Sequence, residues 1–510
     1  MVRKFFLITS LIFIVLLTGC QNEGREIKSF DDLKTANIGT WAGSGYELAV
    51  RESLPNAHYL YLDAISDFLQ ALQQNKLDAV AIGKVYYNNL ISEDFDNINF
   101  IDHSLGKVPI AFTFAKSTEG KKLSAQMNEF LKTLQESGEL DALKNKWLSE
   151  DASNRQFEKS ELTGENGTLQ VGTDAVKMPY SYLKDGEVVG YEVEILDKFC
   201  AAYGYNYNIN IENFQAILYD LNFGRLDIGM AGTEILDARK DQVIFSNPHH
   251  VDDCIAIIKS DSITSKNFFT TILKNVKRTL IDEDRWQLLL KGLGVTVLII
   301  MCSTVFGTAL GFVLYMIYRE GNKIVNKILD ILCEVLSGLP TVVILLIFYY
   351  IIFGSFDING VIVVIITFII LTSLTVMFML KGGEKAIPKG QLEAALALGF
   401  SERKGFIKFV LPQITQIFFS SYQFSILGYM RGTAIVGYVA VQDLTRMADL
   451  IRARTFDAFI PIITISIMYF ILSWIIIKIT DQFLKVINPR NRNREEILKD
   501  INIEGVGSKE

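Results

Sequence analysis

The pattern of polar and apolar positions divides this chain near residue 287. Upstream, short apolar stretches alternate with charged and turn-forming residues, as in strands and amphipathic helices that pack in water. Downstream, five apolar runs at roughly 288–318, 324–354, 360–380, 413–440 and 457–479 each reach the length of about 20 residues that a helix needs to cross a hydrocarbon core. The expected architecture is multidomain: an α/β region over 25–262, a linker helix over 263–287, an all-α transmembrane domain of five helices over 288–487, and a tail over 488–510.

Within the α/β region the pattern repeats. Phe68–Gly83 reads FLQALQQNKLDAVAIG and Ile217–Gly232 reads ILYDLNFGRLDIGMAG, so that Leu69/Leu218, Leu72/Leu221, Lys76/Arg225, Leu77/Leu226, Asp78/Asp227 and Gly83/Gly232 coincide without a gap. Each copy predicts an amphipathic helix, ended by Asn75 or Gly224 where a left-handed residue is needed, and then a short buried strand. Two lobes on one plan follow, 25–150 and 166–260. In the first, a strand at Ala36–Trp41 runs into Gly43-Ser44-Gly45 and a helix from Tyr46, which turns backbone N–H groups outward at a helix start and suits an anion. In the second, a strand at Leu169–Asp174 leads to Met178-Pro179-Tyr180, a hairpin through Lys184-Asp185-Gly186, and a helix containing Ile195–Cys200. Taken alone, each glycine cluster is equally well explained by a tight turn.

Composition adds exclusions. The 510 residues are 50% hydrophobic with a mean hydropathy of +0.26, an average over two unlike parts. The net charge of -7 comes with no basic patch, so no nucleic-acid partner is expected. The five cysteines form no CxxC, and Cys302 and Cys333 lie in membrane runs. Cys200 and Cys254 could pair outside the cytoplasm, but spacing does not fix connectivity. His249-His250 reads as packing or surface, and neither a metal nor a cofactor is expected. At the N-terminus, Arg3 and Lys4 precede an apolar run from Phe5 to Leu17, the layout of a signal peptide over 1–20. Its ending, Leu17-Thr18-Gly19-Cys20, resembles the bacterial lipobox, which implies cleavage before Cys20 and a lipid anchor on it; the alternative is an uncleaved anchor. Either places the next domain outside the cytoplasm.

The second lobe, with GTDAVKMPYSYLKDGEVVGYEVEIL and GMAGTEILDARKDQVIFSNPHH, resembles the first lobe of family 3, amino-acid-type solute-binding proteins of ABC importers. Asp32–Leu148, with DDLKTANIGTWAGSGYE and ELDALKNKWLS, resembles that family's second lobe and closing helices. The order is reversed. The resemblance therefore implies one circularly permuted, type II periplasmic-binding-protein-like domain whose usual termini are joined through about Asp151–Gly167, in preference to two truncated tandem domains. In that family an arginine grips the ligand α-carboxylate, and Arg239 matches it. Ser44 and Gly45 match the helix-start groups that complete the clamp, Phe214 an aromatic wall, and Asp174 a side-chain contact. Three positions depart: the family aspartate for the ligand amino group falls at Gly83, a hydroxyl partner at Glu234, and the second aromatic wall at Lys177. Two readings stand, one in which Glu234 takes over amine recognition and Lys177 favours a polar or acidic ligand, and one in which both are solvated rim residues.

Between the lobes and the membrane, Phe269, Ile272, Leu273, Val276 and Leu280 fall at helical spacing with Lys274, Lys277 and Arg278 between them, as in an interfacial helix or a solvated connector. Basic residues favour cytoplasmic placement of the loops holding Arg319, Lys323 and Lys327 and then Lys381, Lys385, Lys389, Arg403, Lys404 and Lys408, and of the tail with Arg490, Arg492 and Arg494. Arg446, Arg452 and Arg454, in an outer segment, are the exception. Arg431, within the fourth run, either marks with Gly432 and Thr433 a broken helix beside the translocation path or snorkels from a helix that begins late.

Glu393-Ala394-Ala395, Gly399, Leu411 and Pro412 fit the spacing of the EAA loop that marks ABC-importer permeases, with Phe409 in place of the usual isoleucine. Gly338 and Pro340 resemble the family's Arg-Gly-x-Pro signature, but Ser337 replaces the arginine. The chain thus resembles a polar amino-acid-type importer permease fused to its binding domain. The resemblance implies a multi-pass bacterial membrane protein that is not itself an enzyme and takes up a small polar solute, an amino acid or related carboxylate. No GxxxxGK[ST] phosphate loop occurs, so the ATPase is expected on a separate polypeptide. A second permease copy or a homologous permease and membrane lipid complete the partners. The competing class is a ligand-gated channel or receptor with the same binding domain, although there the helices separate the lobes. A sensor kinase would need a large cytoplasmic domain, and a hydrolase a nucleophile–base pair, which the sequence does not suggest.

Overall fold

The computed structural model describes residues 25–90, 97–149, 155–260, 273–354, 356, 358–439 and 441–487. Cys20, Phe269, Ile272 and the tail over 488–510 lie outside these residues. Two compact units are present, Met1–Trp286 with Ala448–Pro461, and Gln287–Met447 with Ile462–Glu510.

The first unit contains β1 (Asn37–Thr40), β2 (His58–Tyr61), β3 (Ala79–Gly83), β4 (Ile98–Phe114), β5 (Thr168–Thr173), the hairpin strands β6 (Val176–Lys177), β7 (Ser181–Lys184) and β8 (Glu187–Val189), and then β9 (Asn206–Ile211), β10 (Ile228–Glu234), β11 (Ile244–Phe245) and β12 (His250–Lys259). Its helices are α1 (Phe30–Leu33), α2 (Gly45–Ser53), α3 (Ile65–Gln73), α4 (Lys84–Leu90), α5 (Thr118–Ser137), α6 (Glu139–Leu148), α7 (Tyr191–Tyr203) and α8 (Phe214–Asn222). The main sheet runs β2-β1-β3-β12-β4-β10-β5-β9, with β11 beside β4. β1 is parallel to β2 and β3, and β5 is parallel to β9 and β10, so the same βαβ plan occurs twice. Parallel strands need crossover helices, and α2, α3, α7 and α8 supply them. β4 and β12 pair antiparallel from Ile98–Lys259 to Ile110–His250, and β4 continues alongside β10. These long strands join the halves of a two-lobed α/β domain.

The repeat takes the predicted form. α3 and α8 end before Asn75 (φ 55°) and Gly224 (φ 67°), and β3 and β10 are buried throughout. Deep in the core lie Trp147, Phe112, Phe199 and Ile38. The polar stretch after residue 154 is packed down, because Phe157 and Leu162 lie against that core and buried Arg155 donates to Asn89 and to the Ser149 carbonyl at 2.7 Å. Cys200 and Cys254 are buried free thiols.

The second unit is helical: α9 (Trp286–Glu320), α10 (Lys323–Gly338), α11 (Thr341–Leu346), α12 (Gly360–Ala386), α13 (Gly390–Ala397), α14 (Glu402–Gly405) and α15 (Leu411–Gly432), then α16 (Leu444–Thr455) and α17 (Phe459–Ile487), whose residues 448–461 belong to the first unit. Trp286–Glu320, Gly360–Ala386 and Phe459–Leu484 are long and apolar enough to span a membrane. The other two expected spans are bent pairs, so five spans result only if each pair is one. The second run breaks by 111° between Gly338 and Thr341. Pro340 lacks an N–H and disfavours helix at the preceding residue, and Leu339 is accordingly extended (φ -98°, ψ 143°). In the fourth run the α-helix passes after Gly432 into a 3-10 turn over Thr433–Val439 with Thr433 still helical (φ -67°, ψ -23°), and the 55° bend falls beyond Val439, before Leu444.

The basic exception in α16 has a local cause. Arg452 pairs with Asp449 at 3.0 Å and with Asp67, and Arg454 pairs with Glu283 at 2.8 Å, so both cations are offset by carboxylates. Of the linker residues, Leu273 is exposed, and a π-helical turn covers Lys277–Ile281.

Candidate functional site: the cleft and the loop

The helix start predicted in the first lobe forms because Ser44 caps it. Its Oγ accepts from Glu47 N at 3.0 Å and donates to the Trp41 carbonyl at 2.7 Å. At Gly45, a Cβ would meet Val108 at 2.7 Å and Glu234 at 3.1 Å, so the missing side chain admits β10 against the helix start. Glu234, at the end of β10, brings the opposite lobe to this point.

Glu234 is 5% exposed and ion-paired twice, to Arg239 at 3.0 Å and to Lys177 at 3.8 Å. Arg239 also donates to the Gly43 carbonyl at 2.8 Å, which ties the two lobes. Both cations lie over the Phe214 ring, Arg239 at 4.8 Å and Lys177 at 5.3 Å. Burial alone pushes the Glu234 carboxyl up, but Lys177 and Arg239 outweigh it and hold the group below the ordinary glutamate value. Neither Glu234 nor Lys177 is a solvated rim residue. Their assembly presents a guanidinium already occupied by a carboxylate, the ligand type that such a fork binds best. Asp174, also buried, accepts from Val176 N at 3.4 Å within a turn.

A group that sequence reasoning missed lies behind them. A Cβ on Gly83 would fall 1.9 Å from Oδ2 of Asp252, so the Asp252 carboxyl fills the space a side chain at 83 would take. The only signal was a charge inside the apolar run of β12. His249, the residue before β12, is buried against Glu192 at 3.1 Å, which gives it a packing role.

In the second unit, the segment after α12 folds back through α13, Gly399 in a left-handed conformation (φ 87°), α14 and the start of α15, with Leu411 and Pro412 at its first turn. Ala395 is buried, 3.2 Å from where a Cβ on Gly405 would lie, whereas Glu393 and Ala394 are exposed. Leu396 and Leu398 stand out at 45% and 75% exposure. Arg319, at the end of α9, holds the loop by pairing with Glu384 at 3.1 Å and Glu402 at 2.9 Å while covering Phe406 at 4.5 Å. Arg403 answers by reaching Glu320 at 3.1 Å. Arg431 is exposed over Phe424 at 5.4 Å, and Thr433 is fully buried, donating to the Met430 carbonyl at 2.7 Å.

Known proteins match parts of this chain. The arginine ABC transporter permease protein ArtQ of Haemophilus influenzae is 32% identical over 172 residues, which cover 31% of this chain and 75% of that one. The histidine/lysine/arginine/ornithine transport system permease protein HisM of Salmonella typhimurium is 23% identical over 219 residues, 41% of this chain and 92% of that one. Among solved structures, an amino acid ABC transporter with histidines overlaps 44% of this chain and 99% of its own at 23% identity and a TM-score of 0.37. The probable amino-acid ABC transporter extracellular-binding protein ytmK of Bacillus subtilis overlaps 48% and 91% at 13% identity and a TM-score of 0.26. Residues 294–493 match the model of the binding-protein-dependent transport system inner membrane component, and with ArtQ matched over three quarters of its length the chain belongs to that family of transport permeases.

Proposed function

We propose that this chain is a permease subunit that carries its own extracytoplasmic solute-binding domain, imports an amino acid or related small polar solute, and is driven by a separate cytoplasmic ATPase. The observation that carries this reading is the convergence of Arg239, Glu234 and Gly43–Gly45 from two lobes, in the same chain as a family permease. Its relatives ArtQ and HisM, named for arginine and for histidine, lysine, arginine and ornithine, support an amino acid. The single sheet crossed by β4 and β12 favours one permuted domain over 25–262 rather than two tandem fragments.

In this account Arg239, Ser44, Gly45, Asp174, Phe214, Glu234 and Lys177 line the ligand cleft, and a ligand carboxylate displaces Glu234 from the guanidinium. Glu393, Ala394, Ala395, Gly399, Leu411 and Pro412 form the ATPase-coupling loop, with Leu396 and Leu398 as its exposed apolar contacts. Arg431 and Thr433 border the translocation path where the α-helix gives way to the 3-10 turn. Cys20 carries the lipid anchor, the tail is cytoplasmic, and a second permease, identical or homologous, completes the pore. Covalent attachment keeps the binding domain near the pore at an effective concentration on the order of millimolar, as short tethers do.

The test is purification with a co-expressed ATPase of the importer class. Ligand-stimulated ATP hydrolysis supports the reading; ligand-gated ion current in lipid bilayers without ATPase would replace it with the channel.

A further inference from the structure

Asp252 is 1% exposed and sits where both lobes meet it. From the first lobe, Tyr46 Oη donates to its Oδ2 at 2.9 Å and Val85 N to its Oδ1 at 3.3 Å; from the second, Tyr180 Oη approaches Oδ2 at 3.5 Å. These donors are all neutral. Among the described residues, no Lys, Arg or His lies within ion-pair distance of it, whereas Glu234 nearby is paired with Arg239. A buried carboxylate left without a counter-charge is costly, so a cation supplied from outside would be strongly favoured there.

The surroundings suit an organic cation. Tyr46 lies 6.0 Å from Trp41, Trp41 6.1 Å from Tyr86, and Tyr86 6.4 Å from Tyr180, centroid to centroid. Because Tyr46 and Tyr180 both donate to Asp252, the four rings and the carboxylate close a circuit. Tyr46, Tyr86 and Tyr180 are buried, while Trp41 is only half-buried and is the open side. Aromatic faces attract ammonium and guanidinium groups, most strongly once water is removed. Gly83 is part of the arrangement, since any side chain there would collide with the carboxylate.

We propose that Asp252, within the circuit of Tyr46, Trp41, Tyr86 and Tyr180, is the cation-recognising end of the cleft, and that the imported solute carries an ammonium or guanidinium group. This rests on the solute-binding reading above and assigns to Asp252 the amine-recognition role considered there for Glu234. Glu234 is already committed to Arg239 and Lys177.

The test is calorimetry on the full chain in detergent with L-arginine, L-lysine, putrescine and, as an acid control, L-glutamate. The wild type is expected to bind at least one of the three cation-rich probes. Asp252→Asn, isosteric and able to keep the Tyr46 hydrogen bond, should weaken that probe tenfold or more and abolish the loss of affinity on acidification that the carboxylate confers. Tyr86→Leu, which touches no hydrogen bond to Asp252, should weaken it fivefold or more, and it carries the test should Asp252→Asn fail to fold. Unchanged affinity in these variants, or a wild type that binds L-glutamate alone, overturns the assignment while leaving solute binding intact. A wild type that binds none of the four overturns both.

Discussion

Replacing Asp252 by Asn should make the ligand-free protein more stable, and a cation probe should stabilise the wild type more than the variant, a combination that a merely structural aspartate would not produce. Burial raises the Asp252 carboxyl from the ordinary value of 3.8 to about 6, more than its hydrogen bonds from Tyr46 and Val85 offset. A group whose folded pKa is raised binds protons more tightly in the folded chain, so stability falls as pH climbs between the two values and stays reduced above the higher one. At 1.36 kcal/mol per pKa unit the reduction approaches about 3 kcal/mol at neutral pH, an upper bound because the site relaxes. Asn carries no charge to desolvate. Above pH 7 the variant should therefore melt several degrees higher than the wild type, since about 1 kcal/mol moves the midpoint of a domain this size by 2–4 °C. At pH 4 the difference should nearly vanish. The groups facing Asp252 do not titrate in this window: Tyr46, Tyr86 and Tyr180 are pushed far up by burial, as is Cys254, and Asp253 is held low by Lys107 and Ser104 despite its own desolvation. His250, against Tyr180, is the exception: burial lowers it to about 4, so it is neutral at pH 6 and 8 and takes up its proton only at the acid end, in wild type and variant alike. Adding a cation probe at 100 times its wild-type Kd contributes about 2.7 kcal/mol to the wild type and about 1.4 kcal/mol to a variant that binds tenfold more weakly, so the gap between them narrows. Tryptophan fluorescence melts at pH 4, 6 and 8, with and without probe, read this directly. A variant that melts lower than wild type by the same amount at every pH would refute the unpaired-charge argument.

Three further outcomes follow from the contacts. Glu234→Gln removes the charge that occupies Arg239 at 3.0 Å, so the affinity for a carboxylate-bearing ligand should rise about tenfold by calorimetry, the factor that 1.4 kcal/mol supplies; a fall would show that Glu234 does not compete with ligand. Gly399→Pro cannot reach a φ of 87° and should abolish ligand stimulation of the ATPase while leaving ligand affinity unchanged; retained stimulation would remove the loop from the coupling route. Arg319→Met leaves Glu384 and Glu402 without their shared cation and should lower stimulated ATPase activity severalfold, with a loss of about 1–3 kcal/mol in thermal stability; wild-type values in both would make the clamp incidental.

The sequence was most informative where local chemistry decides conformation. The helix ends at Asn75 and Gly224, the helix start after Ser44 and the hairpin at Asp185-Gly186 all depend on residues within a few positions, and all took the expected form. Hydropathy predicted the apolar runs but not the 111° break at Pro340, because averaging across a run hides a single residue that removes a donor. At the cleft, the family resemblance could bring Arg239 and the Gly43–Gly45 turn into consideration, yet it could not say that Glu234 meets Arg239 rather than solvent. Asp252 was hardest to find. Its place depends on the β3–β12 register, which sets Cys254 opposite Gly83 and brings segments more than 160 residues apart in sequence together.

The central claim, that one chain both captures and admits its solute, is tested most directly by uptake into proteoliposomes containing this chain, its partner ATPase and internal ATP. Uptake of the radiolabelled probe bound in calorimetry, at full rate with no binding protein added and lost in Asp252→Asn, is the predicted result. Uptake that appears only when a separate soluble binding protein is supplied would contradict it.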